Sequence, residues 1–555
     1  MITNNTINKN DLAILILAGR INLPNYNFKS QEYLFNIGNS LSFEKIVKKL
    51  NLENVKTIYL AISKKNYKFN SFVPFKNAKF IEVGNTETIL DSISVALEKI
   101  NEKNILIIPI TTIPDLYDIN KNCCYFGSKK IPKENWSSIS KNFRGNYEFH
   151  FKNDLNSYGL FSYPCTGRLV AEKSHLKDSI KQLENNKKSD ILSLVEILIK
   201  KYQYKIIFEK WFDIGHQATY IESKLLSMTS RFFNNISYID ENNTILKSST
   251  NLKKIRGEYL FYKSLSIKLK NFFPYVYSEK KRDNDINKIE MEFVPYPNLA
   301  EIFLFKNIGP NSWIRIINSI NKIYRSFYLE ETNKVENNAS WLYSYKLLNR
   351  FKIAINFIKN SNNNNLKKLL KSGFYVNNFF HTGSLYKTVE SLCEFLNGYE
   401  KNLKQFIGHG DLCFNNILID EVSGCIKLID PKAHWDQKTN LIGLMDPNYD
   451  LAKLNHSYKF LYDSIVNNLY SIEIKNNNAQ LYIYAPSEYN LVVNLFDKIL
   501  IKSNIDDNTL INLTASLFIS MLPLHKDDQD HFLVFAIMGS IVFNKVDFSK
   551  FIIQI

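Results

Sequence analysis

The stretch IGHGDLCFNNILIDEVSGCIKLIDP, Ile407 to Pro431, decides how the C-terminal half of this chain is read. Asp411 stands five residues before Asn416, and Asp430 follows Asn416 by fourteen. His409-Gly410-Asp411, four further residues and Asn416 read as a tight loop. Asn416 to Asp420 and Cys425 to Asp430 read as two short strands joined by a turn at Ser423-Gly424. A hairpin of that kind brings Asn416 and Asp430 side by side. Phosphoryl transfer asks a protein mainly to hold divalent cations against nucleotide phosphates and to orient the attacking hydroxyl, which one Asn and two Asp in this order can do. The spacing predicts ATP-dependent phosphoryl transfer.

Working backward, such a site needs a lysine on a strand to hold nucleotide phosphates and a helix glutamate to keep that lysine in place. Lys247 ends the strand-like Thr244-Ile245-Leu246, and Glu258 lies in the helical stretch that follows, eleven residues on. Glu292, in the strand-like run from Ile289 to Val294, joins them as a cofactor-binding candidate. Around these residues, Ser230 to Ser249 alternates as a hairpin turning at Asp240 to Asn243, and Leu252 to Leu269 reads as a helix. Pro295 and Pro297 mark a hinge. From Ala300 onward helical periodicity dominates apart from the catalytic hairpin, with Asn-rich linkers at 331–338 and 359–366.

The segment from about 230 to 555 resembles the aminoglycoside phosphotransferase and choline kinase-like family, a branch of the protein-kinase fold. His409, Gly410, Asp411, Asn416, Asp430 with Pro431, and Tyr449-Asp450-Leu451-Ala452-Lys453 carry the resemblance. It implies that Asp411 orients or deprotonates a substrate hydroxyl, that Asn416 and Asp430 hold magnesium, that His409 shapes the loop, and that Asp450 braces it. ATP and Mg2+ are the implied cofactors. Ser230 to Ser237 lacks the glycines of a phosphate lid. Pro431-Lys432 stands where protein kinases carry Phe-Gly, which points to a small-molecule acceptor. His434, Trp435, Asp436 and Lys438 follow and read either as a pocket wall suited to a cationic acceptor such as choline or as plain packing.

The first 110 residues alternate strand and helix signals: Ala13 to Leu17, Leu41 to Leu50, Thr57 to Ile62, Thr86 to Ile100 and Ile105 to Ile110. Strands separated by helices predict a mostly parallel, doubly wound α/β sheet with ligand sites at the carboxyl ends of the strands, near Ala18-Gly19-Arg20 and Thr111-Thr112. Roughly residues 10 to 225 resemble the sugar nucleotidyltransferases through Leu15 to Arg20, Phe28-Lys29-Ser30, Gly84-Asn85-Thr86, Tyr158 to Phe161 and Trp211-Phe212-Asp213-Ile214-Gly215. The resemblance implies a nucleotide site, for CTP or UTP, that includes Gly19, Arg20 and Lys29, with Asp213 as a metal ligand. It fails at Ile110-Thr111-Thr112, where the family has Gly-Asp-Thr. A neutral threonine hydroxyl is a poor magnesium ligand, so half of that metal site is missing.

The expected fold is therefore an N-terminal doubly wound nucleotidyltransferase-like (Rossmann-like) domain over 1–226 and a C-terminal bilobal protein-kinase-like α+β domain. The latter has a small lobe over 227–298 and a mostly helical large lobe over 299–555. A chain of 555 residues, 45% hydrophobic and 14% aromatic, can build several such cores. The formal charge of +16 is spread among asparagines and isoleucines, so no nucleic-acid partner is expected. Six cysteines without a Cys-x-x-Cys pair indicate neither a zinc site nor a disulfide framework. The N-terminus lacks signal-peptide character. The twelve apolar residues from Phe532 to Phe543 fall short of the roughly 20 that span a membrane, so a buried helix and a cytoplasmic location are expected.

Three readings stay open. The first is a kinase for a small alcohol, sugar or amino-alcohol. The second is a bifunctional enzyme whose kinase product is activated with CTP or UTP, as in surface-polysaccharide or capsule precursor synthesis. The third is a pseudokinase scaffold.

Overall fold

The computed structural model describes residues 11–18, 36–37, 40–50, 52, 55, 57–62, 78–115, 119–132, 136–152, 161–185, 190–216, 219, 223, 234–239, 241–277, 286–329, 342–401, 403, 406–420, 423–432, 443–475, 478–500 and 505–554. Contacts divide the chain into two compact units, Met1–Ser227 and Met228–Ile555.

The first unit is mixed α/β with a large, parallel-rich sheet. Every side chain of β1 (Leu12–Leu17), LAILIL, is buried, because an unbroken apolar strand needs cover on both faces. After α1 (Ser42–Lys49), β2 (Thr57–Ile62) pairs in parallel with β1 and carries β3 (Ala78–Glu82) on its far side. α2 (Ile89–Lys99) starts in a capping box in which Thr88 and Asp91 exchange side-chain and backbone hydrogen bonds of 3.0 and 3.1 Å. It leads to β4 (Asn104–Pro109), parallel to β1 on the other edge. The chain thus reverses direction across the sheet at β1, as the strand and helix alternation predicts.

Later elements make the sheet mixed. β5 (Thr112–Pro114) leaves the end of β4, and β6 (Cys123–Gly127) pairs antiparallel with the long β7 (Phe161–Glu172), which itself runs antiparallel to β4. After α3 (Lys173–Asn185) and α4 (Ile191–Tyr202), β8 (Lys205–Glu209) lies parallel to β6 and β9 (Trp211–Asp213) antiparallel to β5.

The second unit opens with the expected hairpin, β10 (Asn234–Ile239) against β11 (Thr244–Ser249). The helix expected over Leu252 to Leu269 is two helices, α5 (Leu252–Ser264) and α6 (Ile267–Lys270). Leu265 is extended, and the Ser266 hydroxyl accepts from Leu269 N–H at 3.4 Å, so this serine starts a helix. β12 (Val276–Tyr277) and β13 (Lys288–Glu292) complete an antiparallel sheet in the order β10-β11-β13-β12.

Helices α7 (Leu299–Phe305), α8 (Pro310–Tyr328), α9 (Ser344–Asn360) and α10 (Leu385–Tyr399) follow, then the hairpin β14 (Ile417–Ile419) and β15 (Ile426–Leu428), then α11 (Pro447–Tyr458). Between α11 and the final helices lies a second hairpin, β16 (Tyr470–Lys475) with β17 (Asn478–Ala485), where helical periodicity was expected to prevail. Its partners are the two-residue strand Tyr375–Val376 and the C-terminal Ile552–Gln554, both parallel to β17, so the sheet rests on non-local pairing. α12 (Asp507–Met521) and α13 (Gln529–Phe543) pack so closely that a Cβ on Gly539 would lie 2.6 Å from Ile519 Cγ1. Phe532 to Val542 is buried in this pair, and among the described residues no helix is long and apolar enough to cross a membrane.

Both strands of the β14–β15 hairpin are stitched to the strand-rich part of the unit. Ile419 N–H donates to Pro297 O at 3.0 Å, Leu428 N–H to Phe272 O at 2.6 Å, and Lys427 Nζ to Phe273 O at 2.9 Å.

Candidate active site

The loop before β14 is held from below by α11. Asp446 caps this helix by accepting from Asn448 N–H at 3.0 Å, and Pro447 follows at its first position. That start puts Asp450 in the first turn. Its Oδ2 accepts from His409 N–H and its Oδ1 from Gly410 N–H, both at 2.8 Å. Burial pushes the Asp450 carboxyl up to about 7, against the pull of these N–H groups. Gly410 takes φ +77, a conformation that costs a residue with a Cβ and lets the loop turn sharply over the helix. His409 is fully buried. Its Nδ1 accepts from Asp411 N–H at 3.3 Å, which assigns the proton to Nε2, 3.0 Å from Ile429 O. Burial pulls the imidazole down to about 4, so it is neutral and serves as a spacer between loop and hairpin.

Asp411 emerges from this support with 29% of its side chain exposed, and Lys453 Nζ lies 2.9 Å from its Oδ1. Desolvation works to raise the carboxyl, but Lys453 and Lys432 outweigh it and hold it below the ordinary range. Asn416 Nδ2 donates to Asp411 O at 2.8 Å, which leaves its amide oxygen as the atom available to a ligand. Ile429 N–H donates to Asn416 O at 3.0 Å, so the hairpin sets Asn416 against Ile429 and places Asp430 one residue beyond. Asp430 adopts φ +55, uncommon for a residue with a side chain.

Lys247 Nζ reaches Glu258 Oε1 and Oε2 at 2.7 and 2.8 Å and Asp430 Oδ1 at 2.6 Å. Burial alone would lower the ammonium, but Asp430 and Glu258 more than offset it and raise it above its usual value. Desolvation also works to raise Asp430, and Lys247 with Lys254 overrides it, bringing the carboxyl down to about 2. The structure thus brings Lys247, Glu258 and Asp430 together, and Asp411, Asn416, His409 and Asp450 around one loop. Glu292 lies elsewhere on the sheet: its Oε2 accepts from Tyr275 N–H at 3.0 Å and lies 3.6 Å from Lys427 Nζ.

Lys453 enters the sequence motif without a role, and Lys346 does not enter it at all. Lys453 is three residues past Asp450 on α11 and so shares its helix face, a usable signal. Lys346, hydrogen-bonded to the hydroxyl of Tyr449 from 103 positions away, left no local trace.

In the first unit the β5–β9 ladder sets Thr112 opposite Asp213, and Ile214 N–H donates to Thr111 O at 3.0 Å. Thr111, where the expected carboxylate is lacking, is therefore beside Ile214, one residue past Asp213. Asp213 Oδ2 accepts from His216 N–H at 3.2 Å and from the hydroxyl of Thr219 at 2.5 Å, lies 3.0 Å from His216 Nδ1, and Oδ1 accepts from Gly215 N–H at 3.3 Å. Asp115 is bonded to Lys49 at 2.9 Å. Gly19, Arg20 and Lys29 lie outside the described residues, as do His434, Trp435, Asp436 and Lys438. Among the described residues no group of three or more His, Cys, Asp or Glu side chains is arranged to hold a metal.

No protein-family model and no curated protein matches this chain. Solved structures similar to its N-terminal part include a protein from Bacillus anthracis assigned as a glucose-1-phosphate thymidylyltransferase, in complex with sucrose. It is 15% identical, with 40% of this chain and 97% of that chain covered and a TM-score of 0.33. HddC from Yersinia pseudotuberculosis is 15% identical over 38% of this chain and 97% of its own, with a TM-score of 0.29. The same protein complexed with GMP-PN is 13% identical over the same shares, with a TM-score of 0.28.

Proposed function

We propose that residues 227–555 form a bilobal, kinase-like phosphotransferase that uses ATP and Mg2+ to phosphorylate a hydroxyl of a small molecule. The observation that carries this reading is Lys247, whose ammonium bonds both Glu258 and Asp430 although Asp430 lies 183 positions away. A lysine anchored by a buried glutamate is what a phosphate-holding cation requires.

Asn416 and Asp430 fit a magnesium ion, which takes oxygen ligands from one or two protein groups and completes its shell with phosphates and water. Bound there, the ion would supply charge neutralisation at the phosphates. Lys247 holds phosphate oxygens. Asp411, kept ionised beside Lys453, is a weak base for an alcohol, so its work is to accept a hydrogen bond from the acceptor hydroxyl and aim its oxygen at phosphorus. The oxygen–phosphorus bond forms as the bond to the ADP leaving group breaks, and the hydroxyl proton leaves through Asp411. Pro431-Lys432 after the metal aspartate supports a small-molecule acceptor over a protein.

Asp411→Asn tests the reading. Acceptor-dependent ATP consumption should fall by about a thousand-fold or more while near-ultraviolet circular dichroism is retained. Unchanged turnover refutes it.

The bifunctional alternative needs a second carboxylate beside Asp213. Thr111 stands where that carboxylate is expected and Lys49 engages Asp115, which favours a first unit that binds a ligand or positions the kinase without transferring nucleotides.

A further inference from the structure

The loop that carries Asp411 and Asn416 is held at both ends, and the second hold rests on residues to which the sequence motif gives no role. At the first end Asp450 accepts from His409 and Gly410 N–H. At the second, Phe414–Asn416 forms a single turn of 3-10 helix. Phe414 is fully buried, its ring centroid 5.4 Å from that of Phe303 and 5.6 Å from that of Phe496. Its N–H donates at 3.2 Å to the hydroxyl of Ser457, on α11. Asn415 Nδ2 donates at 2.8 Å to Asp463 Oδ1, 48 positions further along the chain. The next residue is Asn416, whose own Nδ2 donates to Asp411 O. With its neighbour fastened and its own amide N–H in use, Asn416 keeps one orientation for its amide oxygen.

Asp463 is brought to this contact at a cost. α11 ends at Tyr458, and Leu461 takes φ +53, a left-handed conformation uncommon for a bulky side chain, before the short helix Tyr462–Val466 begins. Asn467 Nδ2 donates to the Asp463 backbone carbonyl at 2.7 Å and closes this helix behind it. Asp463 is 0% exposed, and burial pushes its carboxyl up to about 7. An apolar side chain of similar volume would fill the space without that desolvation, so packing alone does not account for a carboxyl here.

Resting on the kinase reading above, we infer that Asp463 is a positioning residue for the magnesium site: through Asn415 it fixes the aim of the Asn416 amide oxygen, as Asp450 fixes the turn before Asp411.

The test uses the full chain in calorimetric titrations with a nonhydrolysable ATP analogue, once with Mg2+ and once with the metal chelated away. The ratio of the two affinities measures what the ion adds, and scanning calorimetry of each variant reports folding. Residues that orient a metal ligand typically change metal affinity by about ten-fold or more when replaced, so Asp463→Leu should cut the ratio by about ten-fold and leave the metal-free affinity within about two-fold. Asp463→Asn keeps an oxygen to accept from Asn415 and should restore the ratio. Asn415→Ala removes the same bond from its half-exposed side, so it should match Asp463→Leu, and the double variant should lose no more than either alone. If Asp463→Leu does not fold, Asn415→Ala decides. An unchanged ratio in these variants, or an equal loss with and without Mg2+, overturns the positioning role and leaves the kinase reading standing, as does a parent protein that binds the analogue equally well with and without the ion. A parent that binds no analogue under either condition refutes the kinase reading and this inference with it.

Discussion

Replacing Lys247 with Met separates the structural work of this lysine from its chemistry. Lys247 is 6% exposed and Glu258 1%, and the ammonium makes bonds of 2.7 and 2.8 Å to the glutamate. Met fills nearly the same volume, so the cost comes from a carboxylate left buried without its counter-charge, about 3–5 kcal/mol. At about 2 °C per kcal/mol for a unit of this size, the melting temperature should fall by about 6–10 °C. Adding Glu258→Leu removes the orphaned charge. Replacing both members of a buried pair with apolar side chains is often neutral, so the double variant should melt within about 2 °C of the parent. Turnover should not return with it: losing a phosphate-holding cation costs about 3 kcal/mol of transition-state stabilisation, about a hundred-fold in rate. Scanning calorimetry and coupled ADP release give the two readouts. A single variant that melts with the parent would show that the pair is not formed, and a double variant with full turnover would remove Lys247 from the phosphate site.

Asp450→Asn keeps one acceptor for two N–H groups and turns an amide donor toward the other, so it should destabilise the unit by about 1–3 kcal/mol and lower kcat by at least about ten-fold with little change in KM for ATP; wild-type kcat would refute the brace. Asp430 has a folded value of about 2, depressed from the ordinary carboxylate range chiefly by Lys247, so its stabilising contribution is present above that range and lost as pH falls through about 2. In Lys247→Met a carboxyl 13C titration should show its midpoint moved upward, and an unmoved midpoint would contradict the pairing. Mixtures of CTP or UTP with sugar or alkyl phosphates and Mg2+ should release no pyrophosphate, because Thr111 stands where the second metal-binding carboxylate is expected; robust release would establish the bifunctional reading.

What the sequence made legible was short-range. The Thr57 to Ile62 run is an entirely buried strand because its apolar side chains need cover on both faces, and Asn416 and Asp430 stand one register step apart because the hairpin turns between them. The helix over Leu252 to Leu269 was read through its break because Leu265 and Ser266 do not disrupt apolar periodicity, while Ser266 caps equally well. The β16–β17 hairpin escaped because its sheet is completed by strands of two and three residues from distant parts of the chain. Lys346 and the contact of Lys453 with Asp411 escaped for a related reason: both are ordinary lysines in a lysine-rich chain until folding brings them to Tyr449 and Asp411.

The stitches between the β14–β15 hairpin and residues 272–297 bear on the order in which the site comes into being. During synthesis, Lys247 and Glu258 emerge long before the aspartate they await, because Asp430 is 183 positions downstream. At about 5–20 residues per second, the strand-rich segment spends on the order of ten seconds or more with its buried lysine and glutamate but without the hairpin that fastens beneath them. Phe272, Phe273 and Pro297 offer the backbone carbonyls on which the late-arriving strands close. The Lys247–Glu258–Asp430 cluster is thus completed from the C-terminal side. A chain truncated before Ile426 would retain Lys247 and Glu258 but have neither the strand nor the aspartate that finish their surroundings.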